Sequence, residues 1–156
     1  MVTEDEALNK MASYCAAAEH CSWEVSEKLM KMGFPYEVVQ RMIDRLVSEH
    51  YIDEERFCRA YINDKYRFAK WGRQKIRQGL FLKHIPESVI ERSMEVIDEQ
   101  EYLEIMSDVI AAKRRTVTGK NQYEKNGKLI RFALSRGFEM KDILLVVKQN
   151  EEDFFN

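Results

Sequence analysis

The stretch Ser22 to Val47, SWEVSEKLMKMGFPYEVVQRMIDRLV, encodes two helices and the corner between them. Ser22 is a favourable N-cap, and Glu24 and Glu27 complement the positive end of the helix that follows. Val25, Leu29 and Met32 recur at i, i+4 and i+7, which makes one apolar stripe of helical period. Gly33 stands where a helix C-terminus favours a left-handed residue. Pro35 has its φ already set for the first turn of the next helix. Val38, Val39, Met42, Ile43, Leu46 and Val47 then give that helix its buried face.

The pattern returns twice. Pro86 lies 51 residues after Pro35, and these are the chain's 2 prolines. At that shift Val25, Leu29, Gly33, Val38, Val39 and Met42 fall on Ile76, Leu80, His84, Val89, Ile90 and Ser93. A further shift of 53 reaches Leu129, Ala133, Gly137, Asp142, Ile143 and Val146. The third copy lacks the proline but repeats Gly33-Phe34 as Gly137-Phe138. A longer helix precedes each pair, spanning about residues 4–19 in the first copy. Ile52-Asp53-Glu54 recurs as Ile97-Asp98-Glu99, with Asp53 and Asp98 as N-caps, and Phe57 and Tyr61 match Tyr102 and Met106. This shift is 45, so eight extra residues enter the third copy between Val109 and Leu129. Thr116 to Gly127, with Gly119, Asn121, Asn126 and Gly127, reads as an inserted basic loop. No segment has a strand period. The expected fold is all-α, an elongated array of three tandem three-helix, helix-turn-helix-like repeats with about nine helices. The repeats fall at 1–50, 51–97 and 98–150, with an acidic tail at 151–156.

Composition narrows the function. The 156 residues are 45% hydrophobic and 33% charged, which suits a packed core and excludes a disordered chain. No stretch approaches the ~20 apolar residues of a membrane span. The first residues are acidic and lack the apolar region of a secretory signal, so a cytoplasmic protein is expected. The 3 cysteines include no CxxC pair, which points away from a disulfide framework or zinc ribbon. Cys15, His20 and Cys21 share one short tract, but no second cluster completes a tetrahedral site. The thiols are expected to act as small buried hydrophobes, with no metal and no cofactor.

The net charge of −2 conceals blocks. Residues 65–83 carry 7 basic and no acidic side chains, and residues 113–141 carry 9 basic and 2 acidic. Acidic segments flank both. Such alternation points either to an organised surface field or to helix faces that pair with their acidic neighbours. Glu54, Glu55, Glu91 and Glu95 sit at helical spacings on expected solvent faces. Nothing pairs a nucleophile with a base, cradles a phosphate or spaces metal ligands, so an enzyme is not expected.

The segment Tyr51-Ile52-Asp53-Glu54-Glu55-Arg56-Phe57, then Tyr61, then Trp71-Gly72-Arg73-Gln74-Lys75-Ile76-Arg77, then Leu80 and Ile85, resembles the RecX family of recombinase regulators. Ser22, Val25, Leu29, Gly33-Phe34, Val38 and Leu46 agree with its first repeat. The likeness runs from about residue 7 to 150 and is thinnest in the third repeat. Gly79 departs from the acidic residue usual there, and His84 from the usual glycine. The resemblance implies a bacterial, non-enzymatic regulator that binds the RecA recombinase filament on DNA and inhibits or modulates its ATP hydrolysis and strand exchange; a monomer is expected.

Two basic blocks supply candidate contacts to that filament or to DNA. The first is Lys65, Arg67, Lys70, Arg73, Lys75, Arg77 and Lys83, interleaved with Tyr66, Phe68 and Trp71. Arg73 and Arg77 share a helix face opposite Ile76 and Leu80. Trp71 reads either as a buried anchor or as a platform for a base. Gly72 permits close backbone approach. The second block is Lys113, Arg114, Arg115, Lys120, Lys125, Lys128 and Arg131, where the first three also complement a helix C-terminus. Two other readings stand beside the filament regulator. One is an autonomous helix-turn-helix-like DNA-binding protein acting through these blocks, and the other is a helical adaptor that binds protein alone.

Overall fold

The structure is a computed structural model that describes residues 2–148. The acidic tail expected over 151–156 lies outside the described residues. Among the described residues there are nine α-helices and no strand. They follow the three-copy order: α1 (Glu4–Ala17), α2 (Ser22–Lys31) and α3 (Tyr36–Ser48); α4 (Glu54–Asp64), α5 (Arg73–Leu82) and α6 (Glu87–Ser93); α7 (Glu99–Arg114), α8 (Gln122–Ser135) and α9 (Met140–Val146). Asp53 and Asp98 cap as expected, each accepting from the amide three residues on, Arg56 at 3.0 Å and Glu101 at 3.3 Å.

One corner motif ends the middle helix of every copy. Gly33 N–H donates to Met30 O and Phe34 N–H to Leu29 O. Gly137 and Phe138 repeat this on Leu134 and Ala133, and His84 and Ile85 on Phe81 and Leu80. These crossed bonds satisfy carbonyls that a helix end leaves open, and they require a left-handed residue. Gly33 and Gly137 take φ of 96°, and His84 takes 61°. His50 closes α3 the same way at 65°, with its N–H on Val47 O and that of Tyr51 on Leu46 O.

The chain divides into two compact units, Met1–Tyr61 with Leu80–Ser93, and Ile62–Gly79 with Met94–Asn156. In the first, α1 and α2 pack on α3 around Met11, Val25, Leu29, Met42, Leu46 and Ile52. Fully burying one leucine here contributes about 1.5–3 kcal/mol. In the second, α7, α8 and α9 pack together, with Tyr102 buried between Tyr66 at 6.5 Å and Phe138 at 5.6 Å, ring centre to ring centre.

Three expectations need correction. Val47 is 44% exposed, because it falls one step past the stripe set by Val39, Ile43 and Leu46. Ser22 is the first helical residue, not the cap. The amide of Cys21 is met by the Glu24 carboxylate at 3.2 Å and that of Ser22 by Glu54 Oε1 at 2.8 Å, so Glu54 is half-buried rather than on a solvent face. The inserted loop also ends before Gly127. Asn121 caps α8 through Glu124 N–H at 2.8 Å, so residues 122–127 are already helical.

Candidate partner-binding surface

The first basic block begins where a helix widens. After Asp64 the chain makes a π-helical turn over Lys65–Ala69, closed by Lys70 in the left-handed conformation at φ 60°. Single π turns inside helices often mark functional sites. This one buries Tyr66 completely and leaves Arg67, Phe68 and Lys70 exposed, Phe68 by 79%. Trp71 follows, its N–H donating to Lys65 O at 3.0 Å. Its ring is half-buried, which lies between the two readings offered by the sequence. The Lys65 and Lys75 ammonium groups stand 4.8 and 4.7 Å from its centre.

A backbone crossing in the second unit fixes Trp71. Gly72 N–H donates to Arg136 O at 2.7 Å, and Gln74 N–H to Gly137 O at 3.0 Å. A Cβ on Gly72 would lie 2.2 Å from Gly137 C and Phe138 N, where no atom fits. The close approach expected of Gly72 is therefore present, with Gly137 as its partner.

Arg73 is tied into the fold. Its guanidinium bonds Glu99 and lies 4.1 Å from the centre of the Tyr102 ring, while its N–H donates to the Tyr102 hydroxyl at 3.0 Å. Its side chain is only 15% exposed. Burial pushes the Tyr102 hydroxyl up to about 12, so it stays neutral. Burial opposes the Arg73 charge, but the bond to Glu99 holds its pKa above the ordinary value. Arg67 pairs with Glu101 at 2.6 Å. Lys83 belongs to the other compact unit and donates to Glu24 at 3.1 Å. Lys65 also lies 3.8 Å from Asp64, Lys70 is exposed, Lys75 is half-buried beside the Trp71 ring, and Arg77 is half-buried on α5.

The second block also divides. Lys113 and Arg136 both face the Phe132 ring, at 5.0 and 5.3 Å. Lys128 Nζ reaches back to Thr118 O at 2.6 Å, and Lys125 packs so near Gly119 that a Cβ there would come within 3.0 Å of it. The loop before α8 is thus fastened at two points. Arg114, Arg115, Lys120 and Arg131 are exposed.

Cys15, Cys21 and Cys58 are free and buried, and burial raises all three thiols. His20 stacks on Tyr14 at 3.5 Å and bonds Glu24 at 3.3 Å. Among the described residues no three His, Cys, Asp or Glu side chains gather as a metal site, and no helix is long and apolar enough to cross a membrane. Sequence reasoning missed the π turn and the carboxylates that occupy Arg67, Arg73 and Lys83. The partners lie up to 59 residues away in the chain, so local pattern gives no signal for them.

Two family models match this chain, "RecX, first three-helix domain" over residues 7–46 and "RecX, second three-helix domain" over 53–94. Together they take in more than half of it. The protein named "Regulatory protein RecX" from Clostridium tetani is 30% identical over 129 residues, 81% of this chain and 58% of that one. Its namesake from Chlorobium limicola is 26% identical and aligns over 86% of each chain. The chain therefore spans well under two thirds of the first relative and most of the second. Two solved structures share the fold. "Crystal structure of regulatory protein RecX" gives a TM-score of 0.85 at 18% identity, covering 94% of this chain and 73% of that one. "Crystal structure of RecX from Lactobacillus salivarius" gives 0.80 at 17% identity, covering 93% and 94%.

Proposed function

Because the chain belongs to the RecX family, we propose that it regulates the RecA recombinase, binding the filament that RecA forms on DNA and slowing its ATP hydrolysis and strand exchange. In this reading it acts in the cytoplasm as a monomer and performs no chemistry of its own. The observation that carries the reading is Trp71, with the ammonium groups of Lys65 and Lys75 near its ring and exposed Phe68 and Lys70 just before it in the chain. An indole flanked by cations offers a stacking face and phosphate attraction together, the combination that single strands and their filaments select. Arg67, Arg73 and Lys83 serve the fold and are secondary in this role.

The test is DNA-dependent ATP hydrolysis by the cognate RecA with substoichiometric amounts of this protein. Wild type is expected to lower the rate. The double variant Lys65→Glu, Lys75→Glu should need at least tenfold more protein for the same effect, with an unchanged circular dichroism spectrum. An unaltered rate with wild type, together with salt-sensitive binding to bare duplex, would replace this reading by the autonomous DNA-binding one. Binding to RecA alone, indifferent to DNA, would favour the adaptor.

A further inference from the structure

The first compact unit holds a small pocket of mixed lining that the basic surface does not use. It has a volume of about 200 Å³ and is lined by Trp23 and Ser26 of α2, Gln40 of α3, Glu54 of α4 and His84 of the corner after α5. That is small beside the ~300–1,000 Å³ of pockets for drug-sized ligands, and it suits one side chain. The Trp23 and His84 rings stack on each other, 5.4 Å between centres and within 13° of parallel, so together they give the pocket one aromatic wall. Lys83 already sets its ammonium 5.4 Å from the Trp23 ring centre, and Glu24 neutralises it at 3.1 Å.

Glu54 brings a carboxylate acceptor to the pocket, and Ser26 and Gln40 each bring a group that can accept as well as donate. Glu54 Oε1 takes the Ser22 N–H, while Oε2 makes no hydrogen bond among the described residues. The hydroxyl of Ser26 and the amide of Gln40 are likewise without partners there, although both residues are half-buried. These atoms are not sealed from solvent, so a donor from outside can reach them. The surrounding unit is acidic, with 14 Asp and Glu against 9 Lys and Arg over residues 1–61 and 80–93. A phosphate-bearing ligand is opposed by that field, and a cation is drawn to it.

His84 adds an independent reason. It holds a left-handed backbone at φ 61° where the other two copies have glycine at 96°. A conformation that glycine adopts freely is here given to a side chain whose ring lines the pocket.

We propose that this pocket receives an arginine side chain from a protein partner, the guanidinium lying against Trp23 and His84 and donating to Glu54, Ser26 and Gln40. Guanidinium is the group that combines a flat cationic face with several in-plane donors, whereas an ammonium offers a point charge. The proposal goes beyond the filament reading. Its assay needs neither DNA nor recombinase, so either idea can fail without the other.

The test follows the two indole N–H resonances of the isotope-labelled full chain, assigned with Trp23→Phe. Titration with the capped peptide acetyl-Gly-Arg-Gly-amide is expected to move the Trp23 resonance with a Kd of about 1–10 mM, the range of a single-group contact. The citrulline peptide, neutral but of the same shape, and the lysine peptide should bind at least fivefold more weakly. Glu54→Gln keeps an oxygen for the Ser22 amide and should weaken arginine binding at least fivefold, as should His84→Gly. An unmoved Trp23 resonance overturns the proposal. So does equal binding of citrulline or lysine, or full binding by either variant. A Trp23 shift produced by an oligothymidylate and not by the arginine peptide would assign the pocket to a nucleobase instead.

Discussion

Gly33 and Gly137 end the same helix in two copies of one corner and share a φ of 96°, yet their surroundings differ completely. A Cβ on Gly33 would meet nothing within 4 Å. On Gly137 it would lie 2.5 Å from Lys75 Cβ and 2.6 Å from Lys75 N. The first glycine serves only the left-handed turn. The second serves the turn and also leaves room for Gly72 to cross on it. A repeated motif can thus fix the local geometry everywhere while the reason for the residue changes from copy to copy. His84 extends the series, because it makes the turn without glycine and spends its side chain on Trp23.

Adding one methyl group at each place separates the two roles. Gly72→Ala should have the largest effect, about 5 kcal/mol or more, because the new atom would sit far inside van der Waals contact with backbone atoms and would break two backbone hydrogen bonds. Gly137→Ala should follow it closely. Gly33→Ala should lose only the left-handed cost of ~1–2 kcal/mol. Urea unfolding of the three variants measures this, and similar losses at Gly33 and Gly137 would show that the crossing contributes nothing.

The residue four places before each glycine sharpens the contrast. Leu29 and Ala133 are both fully buried and occupy equivalent positions. Leu29→Ala should cost about 2–5 kcal/mol by leaving a cavity in the first unit. Ala133→Leu should cost ~1–3 kcal/mol by overpacking the second. Thermal melts of both decide whether the small residue in the third copy is a requirement of its tighter neighbourhood. A neutral Ala133→Leu would mean that it is not.

Much of the fold was legible because it depends on short-range pattern. Apolar spacing around Leu29, Leu80 and Leu129, aspartate caps at 53 and 98, and glycine at 33 and 137 all act within a few residues of themselves. The corner at His84 was visible only by its alignment with glycine, since a histidine carries no mark of a left-handed backbone. Gly72 announced a close approach, but its partner Gly137 lies 65 positions away and had no local signature. The candidate surface was read less fully. Counting cations found Arg67, Arg73 and Lys83, but Glu101, Glu99 and Glu24, which occupy them, come from distant helices. The π turn that exposes Phe68 depends on hydrogen-bond register, which residue identity alone does not set.

The smallest expected effect concerns the His84 corner. Lys83, one residue before it, is bound to Glu24, whose Oε1 also accepts from Cys21 N and contacts His20. Burial by itself would raise the Glu24 carboxyl, but Lys83 and the Cys21 amide outweigh it and hold the pKa below the ordinary carboxylate value. A carboxyl depressed in the folded state adds stability above its unfolded pKa, and that contribution is lost as pH falls through the folded value. Wild type should therefore melt above Glu24→Gln at neutral pH, and the two curves should converge as the pH falls below about 4. Gly33 has no such pair beside it, so Gly33→Ala should shift the melting temperature by the same amount across that range. A Glu24→Gln difference that stays constant into acid would mean that the Lys83 pair does not stabilise this corner.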